Sequence, residues 1–371
     1  MISLSQASLA LLTFTALVSP ALPQAGLSVR VLTTVPAGNF PVAVAVDSQT
    51  HEVYVANNSS SFVTVIDERT DLETNIGNSG SFPNGIAANP RTNRVYVANS
   101  LSNNVLVIDG ATNKRSLVSD PSAHYPVGVA VDQVTDKIYV ANYESNNVTV
   151  IDGRTNTFTT LADPLAQQPF AVAVNMKTHK VYVANDSSGN ITEIDESTNT
   201  ITTIADPNGA CPFAIDVNQK TDKIYVANFC SSNVTVIDGP TRKTSTIVDP
   251  NSFNPGGLVV NAATNKIYVA NQFPANVTVI DGATGATTTI TNPLANQGQA
   301  IALDSLNNKV YMANIFSNNI SVIDGTTDQL IATLADPNAS APYAIGVDPL
   351  THRAYVANSG SQNVTVIAGA N

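Results

Sequence analysis

Nucleophilic, acid–base or metal chemistry in this 371-residue chain could draw on two cysteines, four histidines and 28 carboxylates. Catalysis requires such groups to converge without repetition, and His124, Glu144 and Asp216 are the ones that depart from recurring patterns. Nothing in their spacing brings them to one point, so no catalytic residue is assigned. His51, His179 and His352 share one recurring turn position, which reads as turn chemistry with no metal ligation. Recognition by ring planes and carboxylates has more candidates: Phe40, Phe82, Tyr125, Tyr143, Phe170, Phe213, Phe253, Phe273, Phe316 and Tyr343, with Asp163 and Asp206.

These residues are set on a repeat. Tyr-Val-Ala-Asn begins at Tyr54, Tyr96, Tyr139, Tyr182, Tyr225, Tyr268, Tyr311 (with Met312 in place of Val) and Tyr355, at intervals of 42 to 44 residues. A Val-Thr-Val-Ile-Asp-like segment follows each string, and a Pro-led apolar run precedes it. The third copy holds four short segments, a to d: Val127–Val131, Lys137–Asn142, Asn147–Ile151 and Thr157–Leu161. Asx and hydroxyl turn formers separate them. Four antiparallel strands in about 40–45 residues is the spacing of a propeller blade. The eighth copy ends just after its c segment, and Val29–Val35 stands before the first a segment, where a d strand belongs. Pairing the two ends closes an eight-bladed ring and hides two sheet edges; seven blades with one aberrant copy is the alternative.

The repeated YVAN…NVTVIDG pattern resembles the YVTN-type β-propeller repeats of bacterial and archaeal surface and exported proteins. The resemblance spans essentially all of the chain after its first 25 residues. It implies the fold, and little about function, because one fold hosts many tasks.

The eight asparagines that end the b strands, such as Asn142, are identical from blade to blade, as a shared turn requires. The Asn-Val-Thr strings are likewise the start of strand c, so they carry little weight as glycosylation sites. Cys211 precedes strand a of the fifth blade and Cys230 follows strand b. In a hairpin centred near Lys220 the two face each other across the strand ends, so a disulfide is expected. A nucleophilic thiol is disfavoured, with no repeat-breaking histidine beside it.

Loops sort residues by face, since the d→a and b→c loops emerge on one side of a propeller and the a–b and c–d turns on the other. The candidate aromatics, together with Phe229, lie in the d→a and b→c loops or at the start of strand a. Asp120, Glu144, Asp163, Asp186, Asp206, Asp249 and Asp336 lie in the same loops, which hold no Lys or Arg. Lys137, Lys180, Lys223 and Lys266 are among the basic residues that map to the other face. One face is thus expected to be aromatic and acidic. The plain alternative is that the rings fill gaps where blades splay and that five of the acids form a repeated Asp-Pro turn.

Net charge of −11 and the absence of Lys or Arg beside the aromatics exclude nucleic acid. Leu9–Val18 is apolar, too short to span a bilayer and followed by small residues, so residues 1–25 read as a signal peptide cut between 21 and 25. The expected protein is a secreted, periplasmic or cell-surface monomer of one domain, 26–371, without cofactor. It engages a glycan, a cationic ligand or a protein of the cell envelope. The alternative is a periplasmic lyase- or lactonase-like enzyme with its site on the same face.

Overall fold

A computed structural model describes residues 29–77 and 80–369; the expected signal peptide lies outside the described residues. These residues form eight four-stranded antiparallel sheets and no helix. In blade 3 the strands are Pro126–Asp132, Lys137–Asn142, Asn147–Asp152 and Phe158–Leu161, within one residue of the sequence expectation at each end. The a strands of successive blades neighbour one another around the whole circle, blade 8 against blade 1 included. The ring therefore has eight blades, with strand a innermost. Arg30–Pro36 pairs antiparallel with Asn363–Ala368 and supplies the outer strand of blade 8.

Strand b is apolar on both faces because both are covered, as in any sheet packed between layers. In blade 3, Tyr139 and Ala141 pack against Val181, Val183 and Ile194 of blade 4. Ile138 and Val140 on the reverse face pack against Tyr96 and Ala98 of blade 2. All eight repeat tyrosines are fully buried in this way.

The repeated asparagines are structural. Asn142 Nδ2 donates to Asn147 Oδ1 at 2.8 Å and to Thr149 Oγ1 at 2.9 Å. Asn147 and Thr149 are themselves buried. That hydrogen-bonded role accounts for the recurrence of Asn-Val-Thr.

A second repeated contact ties neighbouring blades on the a–b turn face. The residue ending strand a meets the residue with positive φ in the next blade's a–b turn. Six interfaces close by a direct hydrogen bond: Asn89 to Asp136 and Asn175 to Asp222 at 2.7 Å, Asn218 to Asn265 and Asn261 to Asn308 at 2.8 Å, His352 to Asp304 at 2.8 Å, and, with the Asn93 amide oriented so that its nitrogen meets the carboxylate, Asn93 to Asp47 at 3.1 Å. The other two interfaces, blade 3 to 4 and blade 8 to 1, set a histidine (His179, His51) against the aspartate (Asp132, Asp348) without such a bond.

Candidate functional site

In every blade the residue before the first residue of strand a's repeat (a proline in all but blade 7) has a positive φ. Examples are Phe40 (53°), Phe82 (63°), Tyr125 (55°) and Cys211 (53°). Non-glycine residues pay for this conformation, about 1–3 kcal/mol where it is strained. Each gains a bond in return: the Tyr125 carbonyl accepts the Tyr143 N–H at 3.0 Å, and the Cys211 carbonyl accepts that of Phe229 at 2.9 Å. The same bonds draw the d→a and b→c loops together and bring their aromatic side chains to one rim.

Six rings form an unbroken arc over blades 2 to 5. Phe82, Tyr125, Tyr143, Phe170, Phe213 and Phe229 follow one another with centroid separations of 6.4, 6.3, 6.3, 4.7 and 5.8 Å. All six are half-buried. Phe40 and Tyr343 make a separate pair at 6.2 Å across the seam between blades 1 and 8. In blades 6 and 7 the equivalent positions hold Gln272, Gln297 and Gln299, joined amide to amide at 3.0 and 3.3 Å. Phe253, Phe273 and Phe316 are the exception to the expected grouping. They are about half or more exposed, at 52, 48 and 65%, and among the described residues make no ring contact with the arc. Blade 6 extends its a–b hairpin, pairing Phe253 with Phe273 beyond the usual strand ends.

The disulfide is present: Cys211 and Cys230 are bonded, with Cα atoms 5.3 Å apart. It clamps the hairpin that carries Phe213 and Phe229, the last two rings of the arc.

The acids need correction. Asp163 and Asp206, expected to face a ligand, are 6 and 8% exposed. Asp163 Oδ2 accepts Thr192 Oγ1 at 2.8 Å and Thr203 Oγ1 at 2.9 Å, both from blade 4, and its Oδ1 caps the Leu165 N–H at 3.0 Å. Asp206 is bonded by Thr235 of blade 5. Asp120, Asp249 and Asp336 repeat the arrangement with Thr149, Thr278 and Thr365. A carboxylate so used faces the next blade, and its charge is spent on hydroxyl and amide donors. Asn292 replaces the acid in blade 7 and donates to Ser321 and Thr333, both at 2.9 Å. The Asp-Pro acids are inter-blade latches, and the rim is correspondingly more aromatic than acidic. Glu144 remains exposed there, and Asp186 lies 3.5 Å from the Tyr143 hydroxyl.

Beside the arc, Tyr143, Glu144, Asn146, Gln167, Gln168 and Ser187 line a hollow of about 270 Å³. A larger one, about 520 Å³, lies on the opposite face between blades 5 and 6, lined by turn backbone, threonines, Lys223, Tyr225 and Asp281. The latter is an open cleft between outer strands and holds no cluster of non-repeating groups.

The three unusual titratable residues do not assemble. The Glu144 N–H donates to the His124 carbonyl at 3.2 Å, so both sit on the rim of blade 3. Asp216 instead lies within strand a of blade 5 (Pro212–Asn218), accepting the N–H of Val217 at 2.7 Å and of Val260 in blade 6 at 2.8 Å. Burial pushes its carboxyl up to about 6, against the lowering effect of those two amides. A raised carboxyl pKa keeps its proton in the folded chain while the unfolded chain releases it, so stability falls as pH rises between about 4 and 6. Asp216 is part-buried by surface area, so solvent screening holds the loss to about 1–2 kcal/mol. Asp216→Ala, which copies Ala45 and Ala173 at the same repeat position, is expected to flatten that slope, measured as the urea midpoint at pH 4.5 and 7.

A family model described as "SMP-30/Gluconolactonase/LRE-like region" matches residues 48–184, well under half of the chain. No curated protein matches. Among solved structures, Kuenenia stuttgartiensis hydrazine synthase is similar, with a TM-score of 0.64 and 17% identity over 91% of this chain and 97% of that one. A likeness at that identity speaks to the fold alone. Fold and comparisons together define the class: an all-β propeller of eight four-stranded blades, closed by its N-terminal strand.

Proposed function

We propose that this chain is an exported, non-catalytic binding propeller of the YVTN type whose ligand is a glycan seated on the aromatic arc. The observation that carries the reading is the contiguity of six rings over four consecutive blades, at positions where blades 6 and 7 hold amides. Ring planes pack against the apolar faces of sugars, and the amides of Asn146, Gln167 and Gln168 beside Tyr143 suit their hydroxyls. With the Asp-Pro acids buried, a cationic ligand has less to pair with. Export is supported by the disulfide, which persists in oxidising compartments, and by the apolar leader; the mass of the mature N-terminus tests it.

The second reading, a lactonase- or lyase-like enzyme with its site on the same rim, is favoured by the family match from the a–b turn of blade 1 into strand b of blade 4. Its weakness is the separation of Asp216 from His124 and Glu144. An oligosaccharide array probed with the purified chain separates the two. Binding without turnover, weakened at least tenfold by the Phe170→Ala/Phe213→Ala double substitution, supports the binding reading. Hydrolysis of aldonolactones that disappears with Glu144→Gln supports the enzyme, and array binding unchanged in the double variant removes the arc.

A further inference from the structure

The geometry points to two divalent transition-metal sites of the zinc class, one between blades 3 and 4 (Asp132, His179, Glu196) and one between blades 8 and 1 (Asp348, His51, Glu68). These are the two interfaces at which the repeated turn contact is not closed by a direct hydrogen bond. His179 Nδ1 stands 3.6 Å from Asp132 Oδ2 and 3.4 Å from Glu196 Oε2, and His51 Nδ1 stands 3.4 Å from Glu68 Oε2. In each cluster the three ligand atoms lie within 4.8 Å of one another.

What sets the two interfaces apart is one residue. After strand c, blades 1 and 4 carry Glu68 and Glu196, whereas the other six carry glycine. The third histidine supplies an internal comparison: where Gly369 replaces the glutamate, His352 closes onto Asp304 at 2.8 Å. Where the glutamate is present, the separations are too long for good hydrogen bonds. They match the edge of a tetrahedron around an ion with bonds of 2.0–2.1 Å, about 3.4 Å.

The carboxylates are also buried and short of partners. Asp132 and Asp348 are 0% exposed and Glu68 and Glu196 3%. Asp132 Oδ1 caps the Val134 N–H at 2.6 Å and Asp348 Oδ1 caps that of Leu350 at 2.8 Å. By distance and angle, the Oδ2 atom of each aspartate and both carboxylate oxygens of Glu68 accept no N–H or hydroxyl, and His179 Nδ1 has only its long pairings with Asp132 and Glu196. Glu196 is better held, by the Tyr139 hydroxyl at 2.7 Å and more weakly by the Thr135 hydroxyl at 3.3 and 3.4 Å. The nearest cations point elsewhere: Lys137 Nζ donates to the Glu196 main-chain carbonyl at 2.6 Å, and Arg353 donates to that of Glu68 and pairs with Asp71. Two buried carboxyls facing each other are costly as a pair of anions; without an ion they share a hydrogen bond, Glu68 with Asp348 and Glu196 with Asp132, and a dication replaces that contact with charge and fuller coordination. The histidine side chains are 36 and 44% exposed, so an ion can enter from solvent and keep a water as its fourth ligand. Sequence spacing hid these sites because the aspartate comes from the preceding blade, one repeat and a turn away.

The test uses zinc alone, added to the chelator-treated full chain, with metal content and binding heat as readouts. Two equivalents per chain are expected, with one lost in Glu68→Gln, one in Glu196→Gln and both in the double variant. The thermal midpoint of the parent should rise with zinc. His179→Asn copies the closed contact of Asn93 and should fold normally with one equivalent, while His352→Asn should retain two. Cobalt in place of zinc should give the intense visible bands of a tetrahedral site. No retained zinc, or two equivalents unchanged in the double glutamine variant, overturns the proposal. A single equivalent overturns it for whichever interface has a glutamine variant that leaves the count unchanged.

Discussion

Removing Arg30–Pro36 is expected to cost the protein more than about 4 kcal/mol and to turn a closed ring into an aggregating one. The strand pairs in register with the last strand of the chain, Thr33 opposite Val366, Thr34 opposite Thr365 and Val35 opposite Val364. Val35 is 2% exposed, and burying a side chain of that size stabilises by about 1.5–3 kcal/mol. Thr34 Oγ1 also donates to Asp336 Oδ2 at 2.8 Å, and each such bond contributes about 1 kcal/mol net, more to a charged acceptor. Without the strand, Asn363–Ala368 becomes an open edge that other chains can pair with. Urea unfolding and gel filtration of the truncated chain measure both effects. A midpoint and elution volume equal to those of the parent would show that the ring does not depend on this seam.

Asp163→Ala is expected to cost about 3 kcal/mol, although Asp163 lies in a loop on the candidate binding face. Truncation strands the hydroxyls of Thr192 and Thr203 and the Leu165 N–H, all three bonded to that carboxylate. Removing a buried acceptor costs the desolvation of the donors left behind. Asp163→Asn should recover most of the loss, since Asn292 performs the same task in blade 7. Glu144→Ala, on the same face and exposed, should stay within about 0.5 kcal/mol of the parent. Unfolding midpoints of the three variants decide it. If Asp163→Ala kept full stability and lost glycan binding, Asp163 would be a ligand contact after all.

The fold could be read from the sequence because a propeller is made by repetition, and repetition is visible in one chain. Tyr-Val-Ala-Asn marks strand b eight times, and the absent d segment of the last copy pointed to Val29–Val35. The disulfide was readable for a similar reason: hairpin register is simple arithmetic, and inner pairs such as Val217 with Ile224 place Cys211 opposite Cys230, which the disulfide joins just beyond the bulge between Pro212 and Ala214. The site was less so. Loop membership assigns a residue to a face but says nothing about which way its side chain turns. Phe170 and Phe213 thus meet at 4.7 Å while Phe273 and Phe316 are about half or more exposed, and Asp163 bonds to the next blade. Contacts between blades were the hardest to see. The recurring offset of 47 residues that links Asn89 to Asp136 is obvious only once the blades are in place. His179 therefore read as a turn residue when it also faces Asp132 and Glu196.

The repeat offers a direct way to test where a ligand sits. Of 11 tyrosines, eight are the buried repeat residues, and Tyr125, Tyr143 and Tyr343 all stand on the aromatic rim. The chain contains no tryptophan. Fluorine NMR of the fluorotyrosine-labelled protein, titrated with the tightest oligosaccharide from the array, should move the Tyr125 and Tyr143 signals and leave the eight buried ones in place. Movement of Tyr225, which lines the cleft on the opposite face, with Tyr125 and Tyr143 unmoved, would contradict the account.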